Sequence, residues 1–185
     1  EIRQVSVSVG EEISIEDGYI TPLEYDGYSL IWNDEFNGTT INTNNWTFEI
    51  GNGCPNLCGW GNNELQYYRQ ENAWVDGETL VIEARNESYM GSTYTSARMK
   101  TQGKQSFQYG RIDIRALLPK GQGIWPALWM LGENISTISW PACGEIDIME
   151  MVGGSGRENE THGTVHWDNE GHNYIGGSYT LQSGT

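Results

Sequence analysis

Residues 144–151 read Gly-Glu-Ile-Asp-Ile-Met-Glu-Met, a short β-rich stretch that carries three carboxylates. Side chains alternate strictly along a strand, so Glu145 and Asp147 share one face while Glu150 falls on the other. A β-bulge at residues 148–149 inserts one extra residue and restores the phase. We therefore predict a bulged strand that presents all three carboxylates on one face.

The rest of the chain is also typical of short strands. Twenty-four glycines divide it into short pieces, and few stretches keep apolar residues at the helical spacing. We predict strands at 79–85, 94–101, 109–117, 144–151, 160–167 and 173–181. The clearest alternation, at 111–115, puts two isoleucines on a packed face and three charged side chains on a solvated face. This pattern indicates an all-β sandwich.

The carboxylates on the predicted bulged strand need a chemical reason, because acidic residues are poor strand formers and like charges repel. Glycoside hydrolysis supplies one: a carboxylate attacks the anomeric carbon while a second carboxylic acid protonates the departing oxygen. Asp147 would bond one partner and keep the other protonated by its charge. Ile146 and Ile148 are expected to anchor the opposite face in the core. A solvated acidic strand face is the competing interpretation.

Tryptophans accompany the acidic strand, and the apolar faces of sugar rings stack on indole. Of the eight tryptophans, Trp125 and Trp129 are four residues apart and share a face in an unbroken strand. We expect both to bind sugar, and Trp140 closely precedes the acidic strand. Core packing is expected for three others: Trp32, Trp46 and Trp74.

Polar side chains would complete a sugar site by hydrogen bonding to hydroxyl groups. Asn62 lies in an amide-rich cluster after Trp60, Arg98 lies in a predicted strand, and His166 lies in Thr-Val-His-Trp. Each of these residues taken alone is more often an ordinary surface residue. They are candidates because they accompany the carboxylates and the tryptophans.

The charge balance limits the partners. With 10 Lys+Arg and 25 Asp+Glu, the net charge is -15, which repels phosphate backbones and anionic lipids. There is no apolar run long enough for membrane insertion, and residues 1–20 lack the pattern of a leader. Glycosylation sequons are compatible with secretion: they begin at Asn37, Asn45, Asn86, Asn134 and Asn159. We expect a secreted or cell-surface monomer with no nucleic-acid partner.

Three cysteines cannot all pair within the chain. A Cys54–Cys58 bridge would close a very short loop, and a bridge from either residue to Cys143 is equally open. A zinc site is disfavoured because the Cys54–Cys58 spacing has no second ligand pair.

Four stretches resemble glycoside hydrolase family 16, specifically its laminarinase-like members. They occur in the order found in that family: LIWNDEFNG at 30–38, GWGNNELQYY at 59–68, GIWPALWML at 123–131 and GEIDIME at 144–150. Met149 corresponds to the extra bulge residue of the catalytic signature. The resemblance covers roughly residues 28–181, which predicts a catalytic domain at 28–185. Residues 1–27 would be an N-terminal extension or the tail of a preceding module.

The resemblance implies a concanavalin-like jelly-roll sandwich of two antiparallel sheets. It also implies retaining endo-hydrolysis of β-1,3-glucosidic bonds in laminarin-type β-glucan through a covalent glycosyl-enzyme. Glu145 would be the nucleophile, Asp147 its assistant and Glu150 the acid/base. The implied sugar contacts are Asn62, Arg98, Trp125, Trp129 and His166.

The resemblance implies no cofactor for catalysis, and many relatives hold a structural calcium through main-chain oxygens. In this sequence those oxygens would lie near Glu35 and Gly77, with a further carboxylate near the C-terminus of the family domain. Family members continue beyond the stretch resembling 161–181 with several more strands. The resemblance therefore implies that C-terminal strands, including the one with that carboxylate, are absent from this chain and needed to close the sandwich.

Other functions compete with this interpretation. Mixed-linkage β-1,3-1,4-glucanases lack the extra residue seen here as Met149. Agarase and carrageenase are further alternatives, and an enzyme acting on sulfated galactans should favour a basic cleft, which this acidic chain does not suggest. A non-catalytic glucan-binding protein of the same fold typically lacks the two glutamates. An acidic lectin-like sandwich would use the carboxylates for a metal, and its sugar binding would disappear when calcium is removed.

Overall fold

The computed structural model describes residues 24–154 and 156–181. Within those ranges the regular structure consists of strands and short 3-10 turns, which confirms the all-β prediction. The strands are β1 (Thr47–Glu49), β2 (Gln66–Tyr68), β3 (Ala73–Val75), β4 (Leu80–Ile82), β5 (Arg85–Tyr89), β6 (Ser92–Ser96), β7 (Arg98–Lys100), β8 (Ala127–Leu131), β9 (Glu145–Glu150), β10 (Glu160–Asp168) and β11 (His172–Thr180). The 3-10 turns are Cys58–Gly61, Gln70–Asn72 and Glu133–Ser136.

The described residues form two compact units, 24–117 and 118–181. Most of the predicted extension at 1–27 lies outside the described residues, so its boundary stays a prediction. None of the helices among the described residues is long and apolar enough to cross a membrane.

The first unit contains three small sheets: β1-β7, β2-β6-β5 and β3-β4. The β2–β6 pair is parallel, so the prediction of purely antiparallel sheets is wrong there. A parallel pair needs a long crossover, and β3, β4 and β5 supply it.

The core of the first unit gathers around four buried residues: Phe36, Ala73, Leu80 and Ala97. Trp46 packs against this cluster, and its ring centroid lies 6.0 Å from that of Trp32. Trp74 is 40% exposed, so the expectation that it fills the core is wrong. Its neighbour Ala73 faces the core, and alternation along β3 turns Trp74 to the other side.

The second unit contains one antiparallel four-stranded sheet in the order β11-β10-β9-β8. β10 and β11 form a hairpin paired without interruption from Glu160↔Thr180 to Asp168↔His172. Its turn needs left-handed backbone at Glu170 and Gly171, with φ of 56° and 124°. The predicted strands at 144–151, 160–167 and 173–181 are confirmed within one or two residues.

The predicted bulge in β9 is confirmed by the strand register. On β10, the partner of Asp147 is Thr164. The partner of Glu150 is His162, only two residues from Thr164, so residues 148–149 lie opposite a single residue. The register against β8 shifts at the same place. The bulge therefore restores Glu150 to the face of the other two acids.

The expected packing of the opposite face of β9 is wrong at Ile146. This side chain is 47% exposed, whereas Ile148 is half-buried. Ile146 pairs with Val165, and Val165 pairs with Ile175, and both of these residues are exposed as well. Burial in β9 is instead greatest on the acid face, where Asp147 is only 6% exposed.

The strand predicted at 109–117 is not formed. The Arg111 guanidinium binds the Asp113 carboxylate at 2.9 Å, so two of the alternating charges pair with each other, and Ile112 is exposed. Alternation indicates an extended backbone with two unlike faces. A strand also needs a hydrogen-bonded neighbour, and none of the described strands pairs with this segment.

The cysteines follow one of the open alternatives. Cys54 and Cys58 form a disulfide, and Cys143 is a half-buried free thiol whose pKa is raised mainly by burial. The long-range pairings with Cys143 are therefore wrong.

Candidate active site

The three carboxylates of β9 lie on one face of the four-stranded sheet. Glu145, Asp147 and Glu150 pair with alternate residues of β10: His166, Thr164 and His162. On the other side of β9 they pair with alternate residues of β8: Leu131, Trp129 and Ala127. Because alternate residues of a strand share a face, the acids, Trp129 and His166 all belong to the same surface.

Each glutamate accepts a hydrogen bond from an indole outside the strands. Trp125 precedes β8, and its Nε1–H donates to Glu150 Oε1 at 3.0 Å. Trp140 precedes β9, and its Nε1–H donates to Glu145 Oε2 at 2.5 Å. Indole is a donor only and carries no charge, so these bonds orient the carboxylates without neutralising them.

Asp147 lies between the two glutamates and is the buried member of the set. Its carboxyl bonds the Glu145 carboxyl, and its Oδ2 lies 3.0 Å from His166 Nε2. Burial, followed by the negative charge of Glu145, raises the pKa of Asp147 to about 6. The two carboxyls can therefore share a proton at mildly acidic pH.

Glu150 is also harder to ionise than an ordinary glutamate. Burial is the main cause of its raised pKa, and the negative charge of Asp147 raises it further. The hydrogen bond from Trp125 acts in the opposite direction. A raised pKa suits a carboxyl that serves as a general acid.

An aromatic cluster surrounds His166, and part of it was not predicted from the sequence. His172 at the start of β11 lies 4.5 Å from Trp140 between ring centroids and 5.1 Å from His166. Tyr174 lies 5.9 Å from His166. A signal was available: a hairpin with its turn near residues 169–171 pairs the strand after the turn with the strand of His166.

Asn62 and Arg98 lie in the first unit, within a polar and aromatic cluster of their own. The Asn62 amide donates to Glu64 Oε1 at 3.4 Å. Arg98 Nε forms an ion pair with Glu49 Oε2 at 2.5 Å, and its guanidinium lies 4.7 Å from the centroid of Trp60. Burial and the neighbouring Glu64 raise the pKa of the Tyr68 hydroxyl in the same cluster.

The residues predicted for calcium lie in two loops of the first unit. Glu35 is half-buried and accepts a bond from the Asn33 amide at 3.4 Å. Gly77 is exposed in a turn held by Asp76, with φ of 108°. The part of the chain that the structure describes contains no group of three or more acidic, His or Cys side chains suited to a metal. Two residues supply too few of the six to eight oxygens that calcium takes.

The family model of glycosyl hydrolases family 16 matches residues 58–185. The chain therefore belongs to this family. The match spans both units and includes every predicted site residue except Glu35.

Within the family, the chain is similar to laminarinases. It is 51% identical to the laminarinase catalytic domain of Thermotoga maritima MSB8, with a TM-score of 0.76, over 85% of this chain and 64% of that one. It is 45% identical to the endo-β-1,3-glucanase of Pyrococcus furiosus, with a TM-score of 0.74, over 88% of this chain and 65% of that one. These matches confirm the predicted jelly-roll class.

The chain is also 49% identical over 145 residues to the β-glucanase of Rhodothermus marinus, covering 75% of this chain and 48% of that protein. It spans about half or less of the length of the first curated relatives that it matches.

Proposed function

We propose that the protein is a retaining endo-β-1,3-glucanase that hydrolyses laminarin-type β-glucan. The observation that carries the proposal is the bulged strand β9, which aligns Glu145, Asp147 and Glu150 on one face. Membership of the family and similarity to laminarinases support it. The Met149 insertion in β9 favours β-1,3-glucan over mixed-linkage glucan, as the family resemblance implies.

In the first half of the proposed reaction, a Glu145 oxygen attacks the anomeric carbon of the bound sugar. Glu150 donates its proton to the glycosidic oxygen, the bond to that oxygen breaks, and a covalent glycosyl-enzyme forms. The raised pKa of Glu150 supports its role as the proton donor. The indole of Trp140 holds the attacking carboxylate in place.

In the second half, Glu150 is a carboxylate and accepts a proton from water. That water attacks the anomeric carbon, the bond to Glu145 breaks, and the sugar leaves with its original β configuration. The retaining reaction needs carboxyl groups roughly 5 to 5.5 Å apart. Glu145 and Glu150 have longer side chains than Asp147, which lies between them, and this length suits an approach of their two carboxyl groups.

Asp147 assists through its charge and its hydrogen bonds. Its negative charge adds to burial in raising the pKa of Glu150, which favours the protonated state that the first half requires. Its bond to Glu145 orients the nucleophile. This role explains why a third acid lies between two that already repel each other.

Trp125, Trp129 and His166 are proposed to contact the sugar from the sheet of the second unit. Asn62 and Arg98 are proposed as further sugar contacts because the family resemblance implies them. Uncharged indole and amide groups suit a neutral glucan, whose recognition depends on ring stacking and hydroxyl hydrogen bonds.

The test is release of reducing ends from laminarin by the full-length protein, with mixed-linkage β-glucan and agarose alongside. Glu145→Gln is the inactive control, and Glu133→Gln in an exposed turn of the same unit is the matched active control. Release from laminarin that Glu145→Gln abolishes supports the proposal. A folded protein that releases nothing from any of the three would be a glucan-binding protein instead.

A structural calcium at Glu35 and Gly77 is proposed as a stabiliser of the full-length protein. Oxygen ligands at these positions agree with what calcium prefers. A calcium-dependent rise in melting temperature that EDTA reverses supports it. A melting temperature insensitive to calcium and EDTA contradicts it.

Secretion and a monomeric state are proposed together. The Cys54–Cys58 disulfide supports an oxidising compartment. Detection of the protein in the culture medium of its source, with a monomer mass by light scattering, supports both statements. Retention inside the cell contradicts secretion, and a stable dimer contradicts the monomeric state.

A further inference from the structure

His166 has both ring nitrogens engaged, and its second partner is another histidine. Its Nε2 lies 3.0 Å from Asp147 Oδ2, and its Nδ1 lies 2.9 Å from His172 Nε2. Asp147, His166 and His172 therefore form a hydrogen-bonded row that starts at the buried carboxyl and ends at an exposed imidazole.

The proton positions in this row depend on one another. A neutral imidazole has one N–H, so His166 can donate at only one end and must accept at the other. When Asp147 is ionised, His166 donates from Nε2, and its Nδ1 must accept from His172 Nε2–H. When Asp147 is protonated, its carboxyl is neutral and bonds Glu145, so it gains less from the Nε2–H donor of His166. The tautomer of His166 is thus tied to the charge of Asp147 on one side and to His172 on the other.

Packing holds His172 in the orientation that this bond requires. Its ring is stacked on His166 with an interplanar angle of 25°, and it contacts Trp140 at 4.5 Å and Tyr174 at 5.8 Å between centroids. Its place at the start of β11 is fixed by pairing with Asp168 across the hairpin. The ring is therefore oriented by its neighbours before any substrate binds.

We propose that His172 is a positioning residue: it fixes the tautomer of His166 and thereby stabilises the ionised form of Asp147. The proposal rests on the proposed function, in which Asp147 assists Glu145 and keeps Glu150 protonated. His172 acts through His166 and does not itself donate to or accept from the reacting atoms.

Other ionisable groups lie around His166 and His172. They are Glu145 and Asp147 on β9, Asp168 on β10 and Tyr174 on β11. Among the described residues, Asp147 is partnered by the imidazole of His166, and no Lys or Arg forms an ion pair with it. A change in His172 therefore reaches Asp147 without a competing cation.

The test uses two variants of the full-length protein: one removes the hydrogen-bond donor of His172 and the other removes its ring. His172→Phe keeps a ring for stacking but removes the nitrogen that donates to His166. His172→Gln removes the ring but keeps an N–H donor. Tyr179→Phe, on the opposite face of β11, is the control that should change neither readout.

The first readout is the pH dependence of kcat/KM on laminarin. Without the donor, the Nε2–H tautomer of His166 that stabilises ionised Asp147 is no longer fixed. In His172→Phe the ionisation near pH 6 should therefore move to higher pH by about 0.3 to 1 unit. In His172→Gln it should stay near the native position. A uniform loss of activity with no movement in His172→Phe overturns the proposal.

The second readout does not need activity. Two-bond ¹⁵N–¹H spectra at pH 7.5 should show His166 as the Nε2–H tautomer in the native protein and as a mixture in His172→Phe. An unchanged tautomer in that variant overturns the proposal. If the native protein hydrolyses no glucan, the proposed function fails, and these spectra still decide whether His172 positions His166.

Discussion

Two acidic sites in this molecule are partnered in opposite ways. In the first unit, Glu49 lies between two cations and binds Arg98 Nε at 2.5 Å and Lys100 Nζ at 2.7 Å. In the second unit, the three acids of β9 are partnered by indole and imidazole, and among the described residues no Lys or Arg forms an ion pair with them. A cation neutralises a carboxylate and fixes it, whereas an uncharged donor orients it and leaves its proton affinity high. Acidic residues on a strand therefore do not by themselves indicate a catalytic site. The indication comes from whether their partners are cations or uncharged hydrogen-bond donors.

The largest effect is expected from removing the charge of either glutamate on β9. Glu145→Gln and Glu150→Gln are near-isosteric, so both should fold while kcat/KM on laminarin falls by about 10³-fold or more. Initial-rate kinetics and circular dichroism measure the two properties. Glu133→Gln should retain native kinetics. Normal turnover in either β9 variant would contradict the assigned roles.

The two glutamates can then be told apart by chemical rescue. Azide should restore turnover in Glu145→Gly by attacking the vacated face, and the product should be an α-glycosyl azide. Product analysis by NMR identifies the anomer. Failure to form this azide would argue against Glu145 as the nucleophile.

A smaller effect is expected from the indole that bonds the proton donor. Trp125→Phe keeps an aromatic ring but removes the hydrogen bond to Glu150, which favours the ionised form. The pKa of Glu150 should rise, so the alkaline limb of kcat/KM should move up by about 0.3 to 1 pH unit. A limb that moves down or stays in place would contradict this role of Trp125.

The buried acid of β9 should also affect stability in a pH-dependent way. The pKa of Asp147 in the fold is about 6, above its ordinary value of 3.8, so folding favours the protonated form. Its contribution to stability is fully present below pH 3.8 and is lost as pH rises through 6. Asp147→Asn cannot titrate, so its unfolding free energy should fall less than that of the native protein between pH 4 and 7. Urea denaturation at each pH measures both curves, and parallel curves would contradict the burial of Asp147.

The smallest effect is expected at the cation-partnered acid. Glu49→Gln should lower the free energy of unfolding by about 1 kcal/mol, because Arg98 and Lys100 lose their shared partner. The loss should shrink at 1 M NaCl, because salt screens these partly exposed ion pairs. A loss that does not depend on salt would indicate packing instead of charge.

Sequence reasoning succeeded where local rules decide the structure. The parity mismatch between Glu145 and Glu150 required a bulge, and the register of β9 contains it. Strands β10 and β11 were predictable because Gly and Asn bound long β-rich runs with a clear turn between them. Four motifs in order also identified the family that the match to residues 58–185 establishes.

It failed where a residue's role depends on distant partners. The segment 109–117 alternates like a strand but has no paired neighbour in the described structure. His172 is six residues from His166, and its signal in the sequence was the turn near residues 169–171, since the hairpin register brings the two rings together. Trp140 was noted for its position before β9, but its bond to Glu145 depends on the loop conformation.

The most direct test of the double-displacement account is the anomeric form of the first product. ¹H NMR of laminari-oligosaccharide hydrolysis by the full-length protein should show the β-anomer first, followed by slow mutarotation to the α-anomer. Initial appearance of the α-anomer would mean inversion. In that case Glu145 would not form a covalent intermediate, and the account of the β9 carboxylates would be wrong.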